Sequence, residues 1–256
     1  MMIKRFIASL LTCITLFTSP LFAVSTSSCY DTDTKAMLQF EGSDASTAFT
    51  DDSATANTFT AVGNAQIDTA QFKFGSASGL SDGTGDKINT PDNSAFDATG
   101  DFTVEVWVRF NSVATAIIWE LGSYIGANSA GCIYSHGGPR LDCYVNGTAL
   151  GTLGERSWSP SAGTWYHLVV MRSGSSVYVF IDGTLKSTTT ESTSITPSNK
   201  LSLFDSNAND GAFNGWFDSF RYVVGTAVYS TSGFTSPSSP FTACAVAKRR
   251  ILTTVG

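Results

Sequence analysis

Phe102-Thr103-Val104-Glu105-Val106-Trp107-Val108-Arg109-Phe110 decides the fold class. Successive side chains on an extended strand point to opposite faces, so Phe102, Val104, Val106, Val108 and Phe110 share one face. Thr103, Glu105, Trp107 and Arg109 share the other, which is mixed in character. That alternation predicts a strand with its apolar face in a core. Further along, Trp165 to Met171 (WYHLVVM) is apolar on both faces, as a central strand of a sandwich must be. Val177 to Ile181 (VYVFI) runs into Asp182-Gly183 and then Thr184-Leu185-Lys186. Asp-Gly between two such runs is the best hairpin signal in the chain.

Shorter strands fit Met37–Phe40, Thr58–Val62, Lys87–Thr90, Ala116–Leu121, Gly131–Tyr134, Leu141–Val145, Leu201–Phe204 and Trp216–Val223. No stretch sustains a helical period, and no internal repeat or second domain is visible. The expectation is one all-β domain over residues 26–245, preceded by an export signal at 1–25 and followed by a basic, disordered tail at 246–256. The signal rests on Met1-Met2-Ile3-Lys4-Arg5, a twelve-residue apolar stretch from Phe6 to Phe17, the break at Pro20, and small residues before Ser25. Cutting after Ala23 is nearly as good as cutting after Ser25. The apolar stretch is short for a bilayer span, so the mature chain is expected outside the cytoplasm without membrane insertion.

Removing Lys4 and Arg5 leaves 13 of the 15 basic residues against 21 acidic ones, a net charge near −8. Such a surface disfavours nucleic acid and anionic membranes as partners. Four cysteines survive cleavage: Cys29, Cys132, Cys143 and Cys244. Three pairings are open in principle. Cys132 and Cys143 lie symmetrically about Gly137-Gly138, so a hairpin with a four-residue loop, His136 to Pro139, sets them opposite each other within disulfide range. Cys29 and Cys244 flank the domain and would staple its ends.

Several motifs occur in a recognisable order. They are Met37-Leu38-Gln39-Phe40-Glu41-Gly42; Asp82-Gly83-Thr84-Gly85-Asp86; Asn89-Thr90-Pro91-Asp92; Gly100 to Val108; Trp165-Tyr166-His167-Leu168; Phe180-Ile181-Asp182-Gly183; and Phe213 to Arg221. In this order the chain resembles the concanavalin A-like, laminin G-like domains from about Lys35 to Phe241. The resemblance implies a two-sheet antiparallel jelly-roll sandwich, and raises the fold more than the function, because that fold carries lectins, adhesion modules and attachment proteins alike. It also implies a structural calcium, with Glu41 and Asp218 as ligands and Asp51 nearby; Glu41 stands where the family usually carries aspartate.

Catalytic chemistry is not expected. Glycosidases of related fold set two or three carboxylates on alternate residues of one strand, whereas Glu105 stands alone between Thr103 and Trp107. His167 is read as a packing residue. No nucleophile elbow, zinc spacing or phosphate loop occurs. The expected function is therefore a secreted, non-catalytic carbohydrate-binding or adhesion module taking a glycan or cell-surface ligand. The alternative is a structural or attachment component that binds protein, and a glycoside hydrolase ranks third. Candidate ligand-binding residues are Tyr124, Tyr134, His136, Arg140 and Trp158, at loops and the variable hairpin, where aromatic faces can stack on sugar C–H groups and polar groups can fix hydroxyls.

Overall fold

The computed structural model describes residues 29–30, 32–198, 200–209 and 211–243. The expected signal at 1–25, Cys244 and the tail at 246–256 lie outside the described residues. In chain order the strands are β1 (Cys29–Tyr30), β2 (Thr34–Leu38), β3 (Ala48–Phe49), β4 (Phe59–Val62), β5 (Gln66–Asp68), β6 (Ser78–Asp82), β7 (Lys87–Thr90), β8 (Phe102–Phe110) and β9 (Ala116–Leu121). They continue with β10 (Ala130–Ser135), β11 (Arg140–Val145), β12 (Thr148–Ala149), β13 (Trp165–Ser173), β14 (Ser176–Ile181), β15 (Thr184–Thr190), β16 (Leu201–Leu203), β17 (Asn214–Val224) and β18 (Thr242–Ala243). A short 3-10 turn covers Ser94–Phe96. Among the described residues no helix is long and apolar enough to cross a membrane.

Two antiparallel sheets stack face to face. The first runs β12-β11-β10-β9-β16-β7-β4-β3, and the second runs β15-β14-β13-β8-β17-β6-β5. Strand β17 is long enough to serve two neighbours on one edge, β6 along its first half and β2 along its second. The parallel pair β1–β18 brings the two ends of the domain together, with Cys29 opposite Thr242.

The inward faces follow the period-two reading. Phe102, Val104, Val106, Val108 and Phe110 are all buried in one core with Leu168, Val170, Val177 and Val179 of the neighbouring strands. The Asp182-Gly183 turn has φ of 51° and 74°. Positive φ at both central residues is the two-residue hairpin turn whose twist matches its strands. Asn146-Gly147, at 51° and 75°, makes a second such turn between β11 and β12. Gly79 on β6 is required by close approach: a Cβ there would lie 2.6 Å from the Phe40 ring.

The outward face of the second sheet is also mostly buried. Val169, Met171 and Phe180 form a small second core with Tyr229. Tyr229 belongs to residues 226–241, a strap rich in Ser, Thr and Pro that folds back across the sheet. Phe234 of this strap stacks on Tyr229 with centroids 3.8 Å apart, and Phe241 covers the Arg221 guanidinium at 4.0 Å. This is why β13 reads apolar on both faces.

Candidate functional site

The β10–β11 hairpin has the register expected from its cysteines: Cys132 pairs Cys143, and residues 136–139 form the loop. The disulfide is formed, with Cα atoms 4.1 Å apart. Both sulfurs lie on the inward face, and parity then fixes the rest. Tyr134, two residues from Cys132, is 1 % exposed and packs edge-on against Phe110 and Trp158 at 5.3 and 5.7 Å. Trp158 is also buried and packs edge-on against Tyr166. Tyr134 and Trp158 are thus core rings and offer no open face to a sugar, which corrects the expectation for these two positions.

Outward-pointing residues of the hairpin do form a site. Asp142 accepts hydrogen bonds from Arg140 Nε at 2.7 Å, Ser135 Oγ at 2.8 Å and Arg156 Nη1 at 2.7 Å. Arg156 arrives on the loop after β12, which is laced to the hairpin by Leu141 N–H to Arg156 O and Trp158 N–H to Pro139 O. Arg140 is held a second time by the Gly138 carbonyl at 3.2 Å. Between hairpin tip and loop lies a cavity of about 310 Å³, lined by Gly138, Pro139, Arg140, Leu153 and Ser157. Leu153 is 67 % exposed and His136, at the tip, is open to solvent. A fixed guanidinium with spare N–H groups beside an exposed aliphatic side chain offers donors for hydroxyls and a surface for C–H groups.

Tyr124 does not join them. It sits over Gly131, where a Cβ would come within 2.4 Å of its own, and meets Tyr144 edge-on at 6.1 Å. Gly131 and Ser135 are four residues apart on one strand, roughly 13 Å. Tyr124 thus marks the far end of the same sheet face.

Glu105 is fully buried. Its Oε1 accepts Arg221 Nε at 2.7 Å, and its Oε2 receives Tyr229 OH at 2.6 Å and contacts His167 Nε2 at 3.0 Å. Burial pushes its carboxyl up, but the Arg221 charge and the His167 and Tyr229 hydrogen bonds outweigh it, so it titrates below the usual range. The strap closes over this group, so Glu105 and His167 are structural pieces out of reach of substrate.

Of the three carboxylates assigned to calcium, Glu41 and Asp218 both face the 73–76 segment, while Asp51 is held elsewhere. Asp51 is surrounded by donors: Met37 N–H, Ser53 N–H and Oγ–H, and Asn57 N–H and Nδ2–H. Glu41 accepts from Ser76 N–H and Oγ–H. Asp218 accepts from Lys73 N–H at 2.7 Å and Phe74 N–H at 2.9 Å, and burial, with some help from Glu41, pushes it up to about 7. Among the described residues no three of His, Cys, Asp and Glu gather to hold a metal. Calcium takes six to eight oxygens, and these carboxylates, each already accepting hydrogen bonds from N–H or O–H donors, supply only a part of such a set. Oxygens do converge around Lys87, whose Nζ donates to the Ser206 and Asn207 carbonyls and to Asn209 Oδ1. An internal ammonium fills that centre.

The chain belongs to the concanavalin A-like lectin/glucanases superfamily, whose laminin G-type family model matches residues 82–227, more than half of it. No curated protein matches. Among solved structures it is similar to domain 4 of AbnA, a GH43 extracellular arabinanase from Geobacillus stearothermophilus, in complex with arabinotriose. That likeness has 18 % identity and a TM-score of 0.55, and covers 75 % of this chain and 92 % of the other. It is also similar to the binding domain of Paraclostridial Mosquitocidal Protein 1, at 14 % identity and TM-score 0.54 over 74 % of this chain and 48 % of that one. A botulinum neurotoxin type C structure, whose cell entry depends on two ganglioside molecules, aligns at 15 % identity and TM-score 0.54, covering 74 % and 47 %. The chain spans about half the length of these toxin chains. At such identities the likeness establishes the jelly-roll fold.

Proposed function

We propose that the chain is an exported, non-catalytic carbohydrate-binding module that seats its glycan at the outer edge of the β10–β11 hairpin. The observation that carries this reading is Arg140, clamped by Asp142 and Gly138 beside exposed Leu153 over the hairpin cavity. The guanidinium donates to sugar hydroxyls, Leu153 and the His136 ring take the C–H faces, and the disulfide beneath fixes the platform. Preorganisation of this kind lowers the ordering cost of binding. Similarity to a domain solved with arabinotriose and to a ganglioside-dependent toxin supports a glycan ligand. Enclosure of Glu105 supports a module that binds without cleaving. The basic and apolar N-terminal stretch and the disulfide support an extracellular or cell-surface location. Calcium plays no part in this reading.

The test is a glycan array probed with the purified protein, followed by titration of any hit against Arg140→Ala and Leu153→Asp. Asp142 keeps Arg156 in Arg140→Ala, so the fold survives, and each variant should weaken binding by about tenfold or more. Sugar release from the bound glycan, or full affinity in both variants, contradicts the proposal. An array blank for every glycan shifts the assignment to a protein-binding attachment component.

A further inference from the structure

The outward face of the second sheet carries four rows of side chains, and its cover is incomplete. Pairing across the sheet aligns Gln66, Leu80, Trp216, Arg109 and Trp165 in one row. All five are half-buried. The neighbouring rows are closed: Trp107, His167 and Asp218 are at most 5 % exposed, and Glu105, Arg221, Thr103 and Met171 are fully buried. The segment Lys73–Phe74 and the 226–241 strap cover those rows and stop short of the tryptophan row.

That row is held in place. Arg109 Nε donates to the Gly163 carbonyl at 3.1 Å, and its guanidinium carbon stands 4.8 Å from the Trp216 ring centre. Trp216 Nε1 donates to Asp68 Oδ2 at 2.5 Å, on the side away from Arg109. Trp165 and Trp216 sit on the two strands flanking β8, so their backbones are about 10 Å apart with the guanidinium between them. Lys73 Nζ lies 4.0 Å above the Trp107 ring, one step along the same face from Arg109. Among the described residues neither Arg109 nor Lys73 makes an ion pair.

An acidic protein with a net charge of −6 thus presents two cations without an ion-pair partner beside two indoles along a half-buried row. We propose that this row binds a carboxylated polysaccharide, a polyuronate, at a second site separate from the hairpin edge. The Arg109 fork takes a uronate carboxylate through its terminal N–H groups, Lys73 takes a neighbouring one, and Trp165 and Trp216 stack against the pyranose rings on either side. The complementarity of charge selects an acidic chain over a neutral one. The row crosses five strands, which suits internal residues of an extended chain over a terminal acidic sugar. Asp68, on the far side of Trp216, limits the anionic seat to the Arg109 side.

The test is affinity electrophoresis of the purified protein through gels containing polygalacturonate, alginate or a neutral glucan, with sialyllactose as a soluble competitor. Retardation by the two polyuronates alone, unrelieved by sialyllactose, is expected. Arg109→Gln and Trp165→Ala should each weaken it about tenfold or more, and Arg109→Lys should lose less than Arg109→Gln. Lys186→Ala, an equal change in charge elsewhere on the sheet, should not alter it. Near-ultraviolet circular dichroism checks that each variant is folded. Absence of retardation, retention in folded Arg109→Gln, or an equal loss in Lys186→Ala overturns the proposal. Because hairpin binding is read separately on the array, either site can fail without the other.

Discussion

Replacing Glu105 by glutamine removes one charge from an otherwise unchanged packing. The side chain stays isosteric, but Arg221, fully buried and 2.5 Å from Glu105 at its Nη2, loses its counter-charge. One amide oxygen must then serve where two carboxylate oxygens served Arg221, His167 and Tyr229. Breaking one member of a buried pair typically costs about 3–5 kcal/mol. For a domain of this size each kcal/mol moves the midpoint by roughly 2–4 °C, so the melting temperature should fall by roughly 6–20 °C. Thermal unfolding followed by circular dichroism measures it. The companion double variant, Glu105→Leu with Arg221→Met, removes both charges and should recover a large part of the loss. A Glu105→Gln protein that melts within 2 °C of the parent would refute the view that the strap is closed on a charge-paired network.

Asp218 gives a pH dependence of opposite sense to the usual carboxylate. Its folded pKa, about 7, lies above the unfolded value near 3.8, so between these values the folded state holds the extra proton and stability falls as pH rises. The loss should be of the order of 3–4 kcal/mol from pH 4 to pH 7, flattened in Asp218→Asn, as denaturant melts at several pH values will show. Glu105 acts the other way: its depressed pKa contributes stability above about pH 4.5 that is lost as the pH falls below it. Reducing Cys132–Cys143, or replacing both by serine, should cost about 3 kcal/mol from loop entropy alone, read as a shift in urea midpoint. The β1–β18 pairing predicts a Cys29–Cys244 bridge, which non-reducing peptide mapping would detect as one linked peptide pair.

Strong local patterns were enough to read much of this fold. Alternation announced β8, Asp182-Gly183 announced the β14–β15 hairpin, and cysteine symmetry set the register of β10–β11. Strands such as β6 (SGLSD) and the two-residue β3 and β12 lack such patterns, because pairing with distant partners makes them strands. The strap reads as a loop, and only tertiary structure shows that it seals Glu105 with Arg221, 116 residues away. Tyr134 shares parity with Cys132, so a disulfide facing the core takes Tyr134 inward with it. The tryptophan row stayed hidden because Arg109, Trp165 and Trp216 come from three separate strands.

Whether the hairpin edge seats a glycan is decided by the affinity of the purified protein for its best array glycan, compared with that of Arg140→Ala at matched thermal stability. Selective binding by the parent and a loss of about tenfold or more in the variant are expected. Equal affinity in the two proteins would contradict that expectation and remove the hairpin edge as the binding site.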